Sequence, residues 1–386
     1  MFGAMSALEL VRRGHAVTLV DRTREPHPDA SSTDISKMIR MDYGSDVFYH
    51  ELAEESLAGW ERWNASWPRP LYHDEGFLVL SRDVMSEGGF EYESHRVLRE
   101  RGYEPERLDS STLARRYPAW NADLYRDGYV SRPGGWAESG AVVAHLLAAC
   151  ASEGVRFLVA AFGGLEESGS RVSGVRLTPD RGGPAAGESV LPADTVVIAT
   201  GAWTPALLPW LDGALTTVAQ PVLHFGSPDA SMYRGPHFPP FAADIAGSGW
   251  YGFPALPDGR IKLGHHSTGR QVAPDDRGEV SGEHVALARS FLADSIPALA
   301  DAPIVGNRVC LYCDTFDGDL FIDRDPHREG LVVAAGGNGH AFKFAPVLGA
   351  IVADVVEKQD NPWQARFRWR SDGERRIEAA RHMSTD

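Results

Sequence analysis

The stretch "MFGAMSALELVRRGHAVTLVD", Met1–Asp21, decides the fold. Ala4, Ala7, Leu8, Leu10 and Val11 recur at helical spacing, and Gly14, after "VRR", is a helix stop. "AVTLVD" (Ala16–Asp21) then reads as a buried strand of the parallel kind that ends on an acid. Helix, strand and acid in that order form the second half of a dinucleotide-binding βαβ unit. In such a unit G-x-G-x-x-G opens the helix, and a carboxylate about 20 residues on holds a ribose. Gly3 fits the third glycine and Asp21 the ribose acid. The missing first strand and first two glycines are expected about ten residues upstream of Met1, as a truncation. Alone the pattern is weak, because many α/β proteins carry a helix, a glycine and a strand ending in Asp.

Working outward, helices are predicted over 50–65 and 94–102, and a strand at "GFLVLS" (Gly76–Ser81). A helix and then a strand follow within Gly134–Ala160, hairpin strands around "GVRL", and a Gly/Pro-rich turn, "TPDRGGPAAGES". "DTVVIATGAW" (Asp194–Trp203) reads as a continuous buried strand. From 217 to 325 alternating segments separated by Gly and Pro predict an antiparallel sheet. The chain returns with strand "LVVAAG" (Leu331–Gly336) and helix "FAPVLGAIVADVVE" (Phe344–Glu357), and its basic tail reads as a surface helix. The predicted class is α/β: a Rossmann-like domain from 1–75, 134–216 and 326–386, with an inserted α+β substrate domain from 76–133 and 217–325.

With 386 residues, 43% hydrophobic and 24% charged, the chain has the composition of a soluble globular protein. A net charge of −15 disfavours nucleic acid and anionic membrane surfaces as partners, so an anionic substrate needs a local basic pocket. Three cysteines, Cys150, Cys310 and Cys313, are too few for a disulfide framework. No signal sequence or membrane-length apolar run is visible, and a cytoplasmic location is expected.

"SSTDISKMIRMDYGS", "WYGFP", "IKLGHH", "CLYCDT", "FIDRDP" and "GGNGHAFKFAPVLG" occur in the order and approximate spacing of the sarcosine oxidase family, FAD-dependent amine oxidases of the D-amino-acid-oxidase-like superfamily. The resemblance runs from Gly3 to about residue 370. "C-x-Y-C-D-T" together with "RFRWR" resembles its fructosyl-amino-acid oxidase branch. The resemblance implies FAD, two domains, and oxidation of a secondary amine in an N-substituted amino acid to an imine, with dioxygen as acceptor and hydrogen peroxide as product. The amine would carry a carboxylate, and a monomer is the default.

The same resemblance implies the site residues. Cys310 matches the cysteine bonded through sulfur to the flavin; the other reading is a buried apolar thiol. Lys262 matches the lysine where oxygen reacts, since a fixed cation stabilises the negative charge that develops there; the alternative is a strand lysine facing water. Arg40 and Lys343 match the substrate-carboxylate pair, a forked donor and a point charge. For Arg40 the bland alternative is a surface ion pair with Asp42 or Asp46. Lys37 stands where the family has an arginine beside the flavin. His266 and Tyr312 match pocket residues, with His265 diluting the first assignment. Gly337, Gly339 and His340 precede a helix whose N-terminus would face the flavin, and Ala341 replaces a usual glycine, putting the approach of Lys343 in question. Gly201 and Trp203 in "ATGAW", with Ser31 and Ser32, complete the cofactor set. Two other readings stand: a dehydrogenase using another acceptor, and a non-catalytic chain that does not hold FAD.

Overall fold

Helix Phe2–Arg12 is apolar around most of its circumference and is buried accordingly: Phe2, Ala4, Met5, Ala7, Leu8 and Leu10 are all buried. Fully burying each of the larger of these side chains contributes about 1.5–3 kcal/mol. The helix ends at Gly14, which takes φ +91°. The computed structural model describes residues 1–178, 189–227, 229–371 and 373–383. They fall into two units: 1–34, 139–218 and 311–376 in the first, and 35–138, 219–310 and 377–386 in the second.

In the first unit, strand Thr18–Asp21 runs parallel to Arg156–Val159, with Thr18 opposite Arg156. The strand was expected to be buried. It is half-buried and Asp21 is exposed, because among the described residues it pairs on one side only. A second sheet sets Val196–Ile198 parallel to Leu331–Ala335, which pairs antiparallel with Phe321–Arg324. The strand predicted to reach Trp203 stops at Ile198, because Gly201 (φ +56°) turns the chain into the 3-10 turn Gly201–Trp203. The apolar helix Ala345–Glu357 packs on Phe2–Arg12 so closely that a Cβ on Gly349 would lie 2.6 Å from the Met5 carbonyl oxygen. Strands Ala161–Ser168, Arg171–Thr178 and Ser189–Pro192 form an antiparallel meander. Of the Gly/Pro-rich turn expected there, 179–188 lie outside the described residues.

The second unit is built on a long sheet that includes Phe77–Ser81, Asp127–Ser131, Phe241–Ala243, Trp250–Gly252 and Arg260–His265. Among these strands the pairing is antiparallel apart from that of Phe241–Ala243 with Phe77–Ser81, which is parallel. Phe77–Ser81 is apolar on both faces because both are covered: every residue in it is buried. Residues 35–75, assigned from sequence to the nucleotide-binding part, group instead with the second unit. Lys37–Ile39 pairs with Gly135–Ala137, which also holds Tyr72–His73, and this small sheet draws the segment over.

The tail is not a surface helix. A short helical turn, Gln364–Phe367, is followed by irregular backbone over the described residues 368–371 and 373–383. Cys150, Cys310 and Cys313 are buried free thiols. Among the described residues no helix is long and apolar enough to cross a membrane, and no group of three or more His, Cys, Asp or Glu is placed to hold a metal ion.

Candidate active site

In the second unit, strand Arg260–His265 sends Ile261 and Leu263 into the main core and Lys262 to the opposite face. Both faces are covered, so Lys262 is 1% exposed and the water-facing alternative does not hold. Its Nζ donates to the Ser36 carbonyl at 2.6 Å and lies 4.6 Å from the centre of the Phe253 ring. A buried ammonium is retained only where such partners offset its desolvation.

Lys37, on the strand Lys37–Ile39, places its Nζ 3.9 Å from Sγ of Cys310, which is 1% exposed. The structure therefore brings together two residues 273 apart in sequence and sets a positive charge beside the sulfur.

Arg40 is buried, but its partner is neither Asp42 nor Asp46. Asp46 caps the helix Val47–Ser66 through the Tyr49 N–H. Asp42 accepts from the Tyr129 hydroxyl at 2.5 Å, and burial raises its pKa. The Arg40 Nη2 donates to Glu378 Oε1 at 3.0 Å, and Nη1 is buried without a hydrogen-bond partner. The rings of Tyr43 and Phe90 lie 4.9 and 5.9 Å from the guanidinium carbon. The other oxygen of Glu378 accepts from His266 Nε2 at 3.0 Å, so one carboxylate joins two of the predicted residues. Burial lowers the His266 pKa, against the opposing hydrogen bond it donates to Glu378. Glu378 carries no local signal: it is an acid within a basic tail.

Neighbouring His265 is pushed down to about 4, chiefly by burial, with Nε2 2.9 Å from the Ser248 carbonyl. The unfolded chain protonates this group near pH 6.5 and the folded chain only near 4, so stability falls as pH drops through that window. The melting temperature should decline from about pH 6.5 to about pH 4, and decline less steeply in His265→Gln. A slope unchanged in that variant would remove His265 as its source.

In the first unit, residues 336–340 form a tight turn. Asn338 (φ +47°) and Gly339 (φ +74°) are both left-handed, and a Cβ on Gly339 would lie 2.3 Å from the Tyr312 ring. Only glycine lets that ring, 6% exposed, lie on the backbone. Asn338, which sequence reasoning passed over, pins the turn: Oδ1 accepts from the Thr315 N–H at 2.8 Å, and Nδ2 donates to the carbonyls of Gly336 and Asp319. A non-glycine between glycines in "GGNGH" was the available signal. Lys343, 4% exposed, donates to the His340 carbonyl at 2.9 Å. Ala341 lies in the 3-10 turn Ala341–Phe344 and not in the left-handed region, so alanine suits this backbone. His340 is buried, and the following helix has Pro346 in its first turn and no side-chain cap.

The remaining predicted cofactor residues are placed as follows. Gly3 lies in the first turn of its helix, but a Cβ there would make only ordinary contact with Ala199 and Leu19, at 3.6 and 3.7 Å, so packing does not require the glycine expected for close approach. Asp21 accepts from the Arg22 N–H at 2.7 Å at the exposed strand end. The Ser31 hydroxyl donates to the Leu311 carbonyl, and Ser32 is half-buried beside it. Open space surrounds the Cβ position of Gly201, and the half-buried Trp203 ring meets His27 edge-on at 5.6 Å.

These features fit a flavin dinucleotide on chemical grounds. The first unit offers an open left-handed glycine turn and an acid at a parallel strand end. The second offers a buried thiol beside an ammonium, a buried lysine and an arginine with an unmet donor.

The profile of the family described as FAD dependent oxidoreductase matches residues 1–355. Monomeric sarcosine oxidase from Bacillus sp. (strain B-0618) is 26% identical over 360 residues, 92% of this chain and 89% of that protein. N-methyl-L-tryptophan oxidase from Salmonella typhimurium is 26% identical over 358 residues, 92% of this chain and 91% of that protein. Among solved structures, a thermally stable mutant of fructosyl peptide oxidase matches with a TM-score of 0.83 at 22% identity, covering 99% of this chain and 94% of that one. The fructosamine oxidase amadoriase II of Aspergillus fumigatus also gives 0.83 at 22%, covering 100% and 92%. At that identity the structural matches speak for the fold alone.

Proposed function

Because this chain belongs to the family of FAD dependent oxidoreductases, we propose that it oxidises the secondary amine of an N-substituted amino acid of the sarcosine, pipecolate or fructosyl-amino-acid type. The CH–NH unit loses two electrons and two protons and becomes an imine; dioxygen takes them up as hydrogen peroxide. The flavin, when bound, supplies the two-electron acceptor. What carries the reading to an oxidase, and not to a dehydrogenase, is Lys262: a cation held at 1% exposure by a backbone carbonyl, where negative charge developing on oxygen would be stabilised.

The other residues take these roles in the proposal. Cys310 would hold FAD through its sulfur, with the Lys37 ammonium as the charge beside it. Arg40 receives the substrate carboxylate through its fork, and Lys343 is the second cation for it. His266 and Tyr312 orient the amine. In the first unit Gly3, Asp21, Ser31, Ser32, Gly201, Trp203, Gly337, Gly339 and His340 serve the cofactor. Three unpaired thiols support a cytoplasmic, reducing location, and the chain works as a monomer.

Purified protein should be yellow, and the colour should stay with the pellet after acid precipitation. In Cys310→Ala the colour should move to the supernatant. Peroxide release with sarcosine, pipecolate and fructosyl-glycine then ranks the substrates. Colourless protein under all conditions would overturn the assignment, and colour without peroxide would shift it to a dehydrogenase.

A further inference from the structure

The tail after residue 376 is seated within the second unit by contacts of its own. Ala380 is fully buried, and Ala379 packs beside Gly44. The His382 N–H donates to the His266 carbonyl at 2.9 Å, and the His382 and His265 rings are 5.6 Å apart. A turn closed by the Arg381 N–H on the Glu378 carbonyl, 2.8 Å, aims the Glu378 side chain inward. The result is a carboxylate that belongs to the chain itself, bound to Arg40 through one nitrogen only, while Arg40 Nη1 is buried without a partner.

An arginine fork satisfies a carboxylate best through two parallel bonds. Glu378 uses one of its oxygens on Arg40 and the other on His266, so it is an incomplete ligand for that fork. We propose that Glu378 is a specificity-determining residue: it holds the carboxylate position of Arg40 until a substrate carboxylate, able to take both guanidinium nitrogens, replaces it. The inference rests on the reading of Arg40 as the substrate-carboxylate residue. Exchange of one carboxylate for another never leaves the buried guanidinium unpaired, so it avoids the cost of stripping a partner from a buried charge. A neutral amine makes no such exchange and meets an occupied position. Carboxylate-bearing substrates are favoured twice, by the cation they gain and by the internal rival that only an anion displaces.

A tail seated about nine-tenths of the time weakens apparent substrate binding about tenfold. In the full-chain holoenzyme, Glu378→Gln should lower the KM for sarcosine about tenfold with kcat little changed, and should lower that for its amide by more, because in the unaltered chain the amide has nothing to exchange for Glu378. A second measurement does not depend on turnover. In the unaltered protein, acetate should speed amide hydrogen exchange over 377–383 in a saturable way, and acetamide should not. A KM for sarcosine that is unchanged or raised in Glu378→Gln, or exchange indifferent to acetate, overturns the proposal. Arg40→Lys separates the two levels. If it leaves the sarcosine KM unchanged, the reading of Arg40 itself has failed. If it raises that KM while Glu378→Gln does not lower it, only the role given to Glu378 has failed.

Discussion

Lys262→Met should lower oxygen consumption about a hundred- to a thousandfold, the scale seen when one fixed donor to a developing negative charge is removed. Anaerobic loss of the yellow colour on adding substrate should slow far less. The two half-reactions separate because the ammonium matters only where charge grows on oxygen. Methionine fills a similar volume, so packing against Phe253 is kept and the main structural change is a Ser36 carbonyl without its donor. That loss, about 1–3 kcal/mol, is offset by relief from burying a charge, so the melting temperature should move little. Stopped-flow reoxidation in air-saturated buffer, beside anaerobic reduction, is the measurement. Equal slowing of both half-reactions would mean that Lys262 only shapes the pocket.

The second large effect is on stability. Arg370→Ala should cost about 3–5 kcal/mol, the range for removing one partner of a buried pair. Arg370 is 14% exposed and grips Asp317, 7% exposed, through two nitrogens at 2.5 and 2.7 Å. It also donates to the carbonyls of Leu320 and Asp319. The Phe321 and Phe316 rings lie 5.4 and 5.8 Å from its guanidinium carbon. Burial opposes ionisation of Asp317, yet the hydrogen bonds from Arg370 hold its carboxyl below the ordinary range. The pair therefore stabilises the fold above the ordinary carboxylate pKa and loses that contribution as pH falls through the lowered value. Urea unfolding at neutral pH reads the difference, and Arg370→Lys, which keeps the charge without the fork, should recover only part of it. A loss below about 1 kcal/mol would reduce the contact to an ordinary surface pair.

This contact also changes the meaning of "RFRWR". In the sequence the motif points to a branch of a family and to a surface helix. In the fold two of its arginines clasp the acidic turn 317–319: Arg370 holds Asp317, and Arg366 holds Asp319 at 2.6 Å. Asp319 is 2% exposed and is also reached by Arg376 at 3.2 Å, so the tail is fastened by charge as it leaves the first unit. The helical turn Gln364–Phe367 goes no further, and the arginine side chains on either side of its end reach back to fixed carboxylates, which helical periodicity cannot express.

Local pattern was enough for the helix Phe2–Arg12, for the parallel pairing of Thr18–Asp21, and for the strand and helix around "GGNGH". Each follows from side-chain period, a glycine of positive φ or a helix stop, and these are properties of a few consecutive residues. The sequence also nominated Lys262, Cys310 and Arg40. It could not say which nominees are buried or what partners them. Arg40 meets Glu378 across 338 positions, and Lys37 meets Cys310 across 273. Burial and charge pairing arise from neighbours that only the folded chain assembles. The cost of desolvating a charge, and hence which partner it keeps, was decided by the tertiary structure alone.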